Sequence, residues 1–445
     1  MTKLSKRESI WISFMLFSMF FGAGNLIFPP FLGQSAGHDV WVALVGFILS
    51  AVGLPILGVM AVAKAGTFYD LANRVHPIFA LLFPFLIYVS IGPGLAIPRA
   101  GSLAFEMGMA PFMPDEWAVS PVSLLMYTIV FFGIVFWLSL SPSKLVDRFG
   151  KWLTPALLTL IALIFVKSLF TPMGPLAKPA DAYASAPVIK GFLEGYMTMD
   201  ALAALVFGIV IANTLRNKGM SEPRALSKAM IKAGVGAGIL LTIIYVILGV
   251  LGAQSSFLGV SENGAQILTG LMNHLFGSSG TFLLGIVFTI ACLCVSIGLV
   301  TSCSQYFQGL FGHLSYRVWV TILCLLSMAI ANLGLNQILS VSVPILGAIY
   351  PVAIVLIVLA LLGQLIPPNS RVYVVTVVVV AIFGIIDMVN VTFLQHQWDF
   401  WLNALPFYAE GAGWIMPALV AGLAGTLLDF GKKSSSVYKK GPMTE

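Results

Sequence analysis

The sequence predicts an all-α, polytopic membrane protein of about twelve transmembrane helices, and three observations predict it. Hydrophobic residues make up 59% of the chain and charged residues only 9%, against about 25% charged in a soluble domain. The mean hydropathy is +0.99. Apolar segments of about 20 residues, the length at which a helix crosses a bilayer, recur along all 445 positions. No polar stretch between them is long enough for a separate soluble domain, so residues 1–445 read as one membrane domain. The pI of about 9.1 does not point to nucleic acid, because Lys and Arg are scattered in short loops and build no stripe on a face.

The first apolar segment runs from about Ile10 to Leu32 and carries Gly22, Gly24 and Asn25 in its middle. Each interior Gly costs a helix roughly 1 kcal/mol relative to Ala, and irregular backbone at membrane depth is tolerated only in a cavity or inside protein. A discontinuous helix with exposed amides and carbonyls follows. Lys3, Lys6 and Arg7 precede it as in a signal peptide, but the run is too long and lacks a small-residue cleavage site. Eleven more spans fall near 40–63, 77–98, 119–140, 152–170, 188–214, 232–253, 280–307, 317–334, 338–362, 372–392 and 411–429. With this assignment 19 of the 23 Lys and Arg lie in loops on one side, and only Arg99, Lys167, Lys178 and Lys190 on the other. Positive charge accumulates inside, which puts both termini in the cytoplasm.

Two connections exceed a short turn. Residues 255–280 contain Ile267, Leu268, Leu271 and Leu275 at helical spacing beside Ser261, Glu262 and Asn263, an amphipathic external helix that is either a gate cap or a packed loop. Residues 170–187 hold four prolines and form a semi-rigid external connection.

An ionisable residue at membrane depth is a functional hypothesis by default. Asp200 lies 16 residues from Arg216, about 24 Å along a helix, and Asn25 lies 18 residues from Arg7, about 27 Å. The two polar groups therefore share a depth. The alternative is that the sixth span starts later and Asp200 caps its end. Phe207-Gly208 faintly echoes Phe21-Gly22, and spans one and six are corresponding members of two five-span units. An inverted-repeat transporter breaks its helices at such positions. The predicted layout is a 5+5 repeat, 9–170 and 188–362, followed by two additional helices over 372–429.

On span eight, Gly298, Thr301 and Ser302 fall at i, i+3 and i+4 and share a face. Their oxygens suit a small cation such as Na⁺; small and hydroxylated residues are also the usual glue of membrane helix packing. Cys292, Cys294, Cys303 and Cys324 lie in apolar segments with no zinc spacing. The five histidines make no HExxH pattern, there is no Walker-type phosphate loop, and the spans hold no paired catalytic groups. An ATP-driven pump and an intramembrane enzyme are both disfavoured.

The stretch Phe20-Phe-Gly-Ala-Gly-Asn-Leu-Ile-Phe-Pro-Pro30, the run from Gly195 to Gly208 and the twelve-span length resemble the bacterial branched-chain amino acid:cation symporter family (BrnQ type). More distantly, Gly22-Ala-Gly-Asn25 followed by Phe28-Pro29 is similar to the broken first helix of LeuT-type sodium symporters. In those, a sodium site joins carbonyls of that break to a small residue and a Thr-Ser pair on span eight, a spacing Gly298, Thr301 and Ser302 match. The related symporters place an Arg between the Asn and the Phe-Pro, and here Leu26 and Ile27 stand instead. An external gate built on that Arg is absent. Span seven offers Thr242 but no Asn, which leaves one coupling Na⁺.

The resemblance implies a LeuT-like fold and sodium-driven import of leucine, isoleucine and valine across the bacterial cytoplasmic membrane. It places the substrate carboxylate at Gly22, Ala23, Gly24 and Asn25. The ammonium goes to the break in helix six, between Thr198 and Gly208, with Asp200 as its counter-ion or as an outer gate and Phe207 as a pocket wall. Phe21, Gly22, Gly298, Thr301 and Ser302 are the implied cation ligands. The alternative is a proton-coupled carrier of another small amino acid or metabolite, with Asp200 as the H⁺ site.

Overall fold

Helix interruptions, more than helix ends, set the architecture of the computed structural model, which describes residues 5–438 apart from 145, 221, 262, 364–365 and 367–369. The described regular elements are all helical. The first segment is α1 (Lys6–Phe20) and α2 (Ala23–Ala36), separated by two extended residues. Ser5 starts α1 with a reciprocal cap: its hydroxyl accepts the Glu8 N–H and its own N–H donates to the Glu8 carboxylate. Gly37, at φ +50°, then turns the chain into α3 (Val40–Ile48) and, after one wide turn, α4 (Leu54–Ala65). The third segment is α5 (Pro77–Val89) and α6 (Ala96–Gly108), broken where Gly92 leaves helical backbone ahead of Pro93. Next come α7 (Pro121–Ser139) and α8 (Thr154–Leu169). The sixth segment is again double, α9 (Pro187–Tyr196) and α10 (Asp200–Asn217). Then follow α11 (Pro223–Ala253), α12 (Gly264–Phe276), α13 (Ser278–Leu310), α14 (Tyr316–Ala331), α15 (Leu335–Leu361), α16 (Arg371–Thr392) and α17 (Ile415–Tyr438).

Nine described segments are long and apolar enough to cross a membrane, and Tyr316–Ala331 and Ile415–Asp429 are shorter apolar helices. Arg99 departs from the expectation. Span three was expected to end at 98 with Arg99 in an outward loop, yet the helix restarts at Ala96 and carries Arg99 inside α6, 4% exposed. Of the other residues assigned to that side, Lys178 lies in a connection, whereas Lys167 falls in the last turn of α8 and Lys190 in α9.

The chain divides into two compact units. In the first, Met1–Lys64 with Leu86–Ser342, α3 lies along α9, α2 and α1 along α11, and α13 along α6. The α3–α9 crossing depends on glycine. A Cβ on Gly46 would stand 1.9 Å from the Val188 carbonyl oxygen, and one on Gly191 2.0 Å from that of Ala43. Both obstacles are backbone and cannot rotate aside. Gly191→Ala is expected to cost about 1–3 kcal/mol or more by overpacking, read as a lower melting temperature of the purified protein.

Helix α12 matches the amphipathic expectation. Ile267, Leu268, Leu271 and Leu275 are buried, Asn263 caps it by accepting the Gln266 N–H at 3.0 Å, and a Cβ on Gly264 would lie 1.7 Å from the Ile27 carbonyl oxygen of α2. Glu262 lies outside the described residues. The proline-rich connection crosses the ends of α2 and α11: His38 N–H donates to Ala177 O (3.1 Å), Ala180 N–H to Ser35 O (2.8 Å) and Gly174 N–H to Gln254 O (3.0 Å). The four cysteines are buried free thiols.

In the second unit, Ala65–Phe85 with Val343–Glu445, α16 packs along α17. The Tyr373 hydroxyl donates to the Leu359 carbonyl at 2.8 Å. Asn390 ties Asp399 (2.7 Å) to the Tyr408 hydroxyl (3.1 Å).

Candidate substrate and ion site

The break between α1 and α2 is two residues wide. The i→i−4 ladder of α1 ends with Phe21 N–H on Phe17 O at 2.8 Å, and Phe21 and Gly22 are extended. The carbonyls of Ser18, Met19 and Phe20 therefore lie outside the ladder, as do the first amides of α2. Asn25, at the third position of α2, closes the junction by accepting the Gly22 N–H at 3.0 Å. Its amide nitrogen donates to Asp200 Oδ2 at 2.5 Å and to the Tyr245 hydroxyl. Tyr245 in turn donates to Asp200 Oδ2 at 2.9 Å. All three side chains are buried, so the two polar residues placed at one depth are in direct contact.

Asp200 opens α10, and the break lies just before it at Met197–Met199, upstream of most of the 198–208 window expected from sequence. Met199 holds a left-handed backbone (φ 65°), which costs a non-glycine residue roughly 1–2 kcal/mol. Thr198 donates to the Gly195 carbonyl at 2.9 Å. From Asp200 the helix runs on without interruption through Gly208.

Between the two breaks lies a small cavity of about 20 Å³, room for about one water. Gly22, Ala23, Gly24, Asn25, Thr198 and Asp200 line it, with Phe20 from α1, Ile91, Ala96, Arg99 and Ala100 around the third break, and Val295 and Leu299 from α13. Phe207 stands behind Phe20, their ring centroids 5.4 Å apart, and Gly208 faces Val62. Neither lines the cavity. Thr242 bonds the Gly238 carbonyl of its own helix at 2.9 Å.

The cation candidates meet α1 at its last turn. A Cβ on Gly22 would lie 2.8 Å from Val295 Cγ1, and one on Gly298 3.0 Å from Met19 Cγ, so α13 follows the end of α1 with Gly298 against the Met19 side chain. Ser302 Oγ donates to Gly298 O at 2.8 Å. Thr301 Oγ1 is buried beside the Tyr316 hydroxyl, which donates to Ser139 O at 2.7 Å. Its oxygen offers lone pairs of the kind a small cation takes.

Two site residues were not legible as such. Arg99 donates from Nη1 to the Met197 carbonyl at 3.1 Å, tying the third break to the sixth. Tyr245 lies well inside α11; its signal was a tyrosine far from the interfacial level where such residues concentrate. A second cavity, of about 310 Å³, opens beside the Arg216 end of α10 and is lined by Asn213, Arg216, Asn217 and Gln305 among others. Nearby, Lys218 pairs with Glu8 at 3.1 Å.

Residues 5–431 match the profile of the branched-chain amino acid transport protein family. The chain is 48% identical over 429 residues to the branched-chain amino acid permease BraB of Bacillus subtilis, covering 96% of each protein. It is 42% identical over 439 residues to the permease BrnQ of the same organism, covering 98% of this chain and 99% of that one. Its fold is similar to that of Mhp1, a nucleobase-cation-symport-1 family transporter solved in a closed conformation, with a TM-score of 0.60 at 12% identity over 98% of this chain and 94% of that one. These relatives are permeases and transporters, not enzymes, and the chain belongs to the branched-chain amino acid transport protein family.

Proposed function

We propose that the protein imports leucine, isoleucine and valine across the bacterial cytoplasmic membrane by sodium-coupled symport. The observation that carries this reading is the Asn25–Asp200–Tyr245 junction, which joins two broken helices around a small cavity in a chain of this family. The substrate carboxylate meets the first amides of α2, at Gly22, Ala23 and Gly24, where the helix dipole is positive. The ammonium meets Asp200 and the carbonyls of the 197–199 break. Na⁺ travels with the substrate, held by carbonyls at the end of α1 around Phe21 and Gly22 and by Gly298, Thr301 and Ser302. The run of α13 along the end of α1, with Gly298 against Met19 and Val295 against Gly22, supports that placement.

A cavity with room for about one water does not hold leucine, so binding requires the surrounding helices to part. Alternating access supplies that motion: twelve spans in a 5+5 inverted repeat, 9–170 and 188–362, rock one bundle against the other. Residues 372–429 add two helices, and both termini are cytoplasmic. The Arg216-lined cavity is the inner mouth. Discrimination among aliphatic side chains is shallow, about 1–3 kcal/mol per methylene, which is why three substrates share one site. The alternative is proton coupling through Asp200, favoured by a carboxylate whose Asn25 and Tyr245 partners are neutral donors.

The test is labelled leucine uptake into proteoliposomes with an inward Na⁺ gradient. Unlabelled isoleucine and valine compete, lysine does not, and internal leucine accelerates exchange. Uptake without exchange acceleration would indicate a pore and contradict the carrier reading.

A further inference from the structure

Arg99 and Asp200 are the two charged side chains lining the small cavity between the breaks, 4% and 2% exposed. Burying either charge is expensive unless partners compensate it, and a molecule retains such a pair at its transport site when the charges have work to do there. Their positions divide the cavity. Arg99 Nη1 reaches the Met197 carbonyl, and its Nη2 lies 3.1 Å from where a Cβ on Gly24 would stand. The guanidinium therefore lies against the first turn of α2, beside amides that have no ladder acceptor. Asp200 lies on the other side of the junction, and both of its hydrogen bonds from Asn25 and Tyr245 fall on Oδ2. A carboxylate has about four lone-pair sites, so with the Thr198 side chain also bonded to it it keeps capacity for an ammonium.

We propose that Arg99 and Asp200 form a charge clamp for the zwitterionic backbone of the amino acid, Arg99 binding the carboxylate together with the α2 amides and Asp200 binding the ammonium. The inference rests on the amino-acid transport reading and deepens it. One cation and one anion about a single cavity select a ligand that carries both charges close together. A monocation of the same shape meets Arg99, and a monoanion meets Asp200; each is repelled where leucine is held. Gly24 is part of the device, because a side chain there would stand between the guanidinium and the helix start.

The test is equilibrium binding to the purified full-length protein at fixed Na⁺, with labelled leucine, 3-methylbutylamine (leucine without its carboxylate) and 4-methylpentanoate (leucine without its ammonium). The parent binds leucine alone. Arg99→Gln should weaken leucine at least about 100-fold, as loss of one member of a buried charged contact does, and should gain measurable binding of 3-methylbutylamine. Asp200→Asn should show the reciprocal gain for 4-methylpentanoate. Arg99→Lys, which keeps the charge and loses the fork, should fall between parent and Arg99→Gln. Circular dichroism and melting establish that each variant is folded. Arg99→Gln binding leucine within about threefold of the parent, a change no larger than that of a surface substitution, would overturn the clamp. So would a folded Arg99→Gln that loses leucine and gains no amine. Failure of the parent to bind leucine would instead count against the transport reading itself.

Discussion

Asp200→Asn lowers leucine uptake by at least about 100-fold, the scale expected when a buried charge that meets a ligand charge is removed, while the protein stays folded. The amide oxygen of Asn still accepts from Asn25 and Tyr245, so the junction between α2, α10 and α11 keeps its hydrogen bonds. What disappears is the negative charge beside the α10 start. Asp200→Ala goes further. It leaves two buried donors without their acceptor, at about 1–3 kcal/mol each, and melts at lower temperature as well as failing to transport. Uptake and melting, measured on both variants, separate the charge from the scaffold. Normal uptake by folded Asp200→Asn would show that the carboxylate is only a structural acceptor.

Thr301→Ala raises the Na⁺ concentration for half-maximal uptake by about tenfold or more, about 1.4 kcal/mol of lost ion binding. Melting is measured alongside, because Thr301 is fully buried and loses a methyl group as well as its hydroxyl. Ser302→Ala is the companion variant, because it removes a hydroxyl that bonds to Gly298 O at 2.8 Å. A titration of uptake against Na⁺ for both variants checks the assignment. An unchanged Na⁺ dependence in Thr301→Ala would mean that this face of α13 only packs against α1.

How far the site could be read from sequence depends on what each residue contrasts with. Gly22, Gly24 and Asn25 stand out in an apolar span because glycine and amide are poor choices for a lipid-buried helix, and the break falls at Phe21–Gly22. Asp200 stands out as a charge and proves to touch Asn25. The second break falls at the upstream edge of its expected window and was hard to narrow, because Met197-Thr198-Met199 contains no Gly or Pro and the left-handed turn is imposed on a methionine. Phe207 and Gly208 echo the first motif in letters alone; an uninterrupted α10 carries them past the cavity. Arg99 looked like a loop charge because Gly92-Pro93 and Pro98 resemble the end of a span. The chain instead resumes as a helix at Ala96 and brings the guanidinium inward. Tyr245 gave no sign beyond its depth, since a tyrosine body is apolar and its hydroxyl becomes informative only when Asp200 is found beside it.

The measurement that tests the account most directly is labelled leucine uptake into proteoliposomes with an inward Na⁺ gradient, repeated with Na⁺ replaced by K⁺ at the same membrane potential and pH. Sodium symport predicts concentrative uptake in Na⁺ and only equilibration in K⁺. Equal concentrative uptake in both would contradict sodium coupling and make Asp200, carrying a proton, the coupling site.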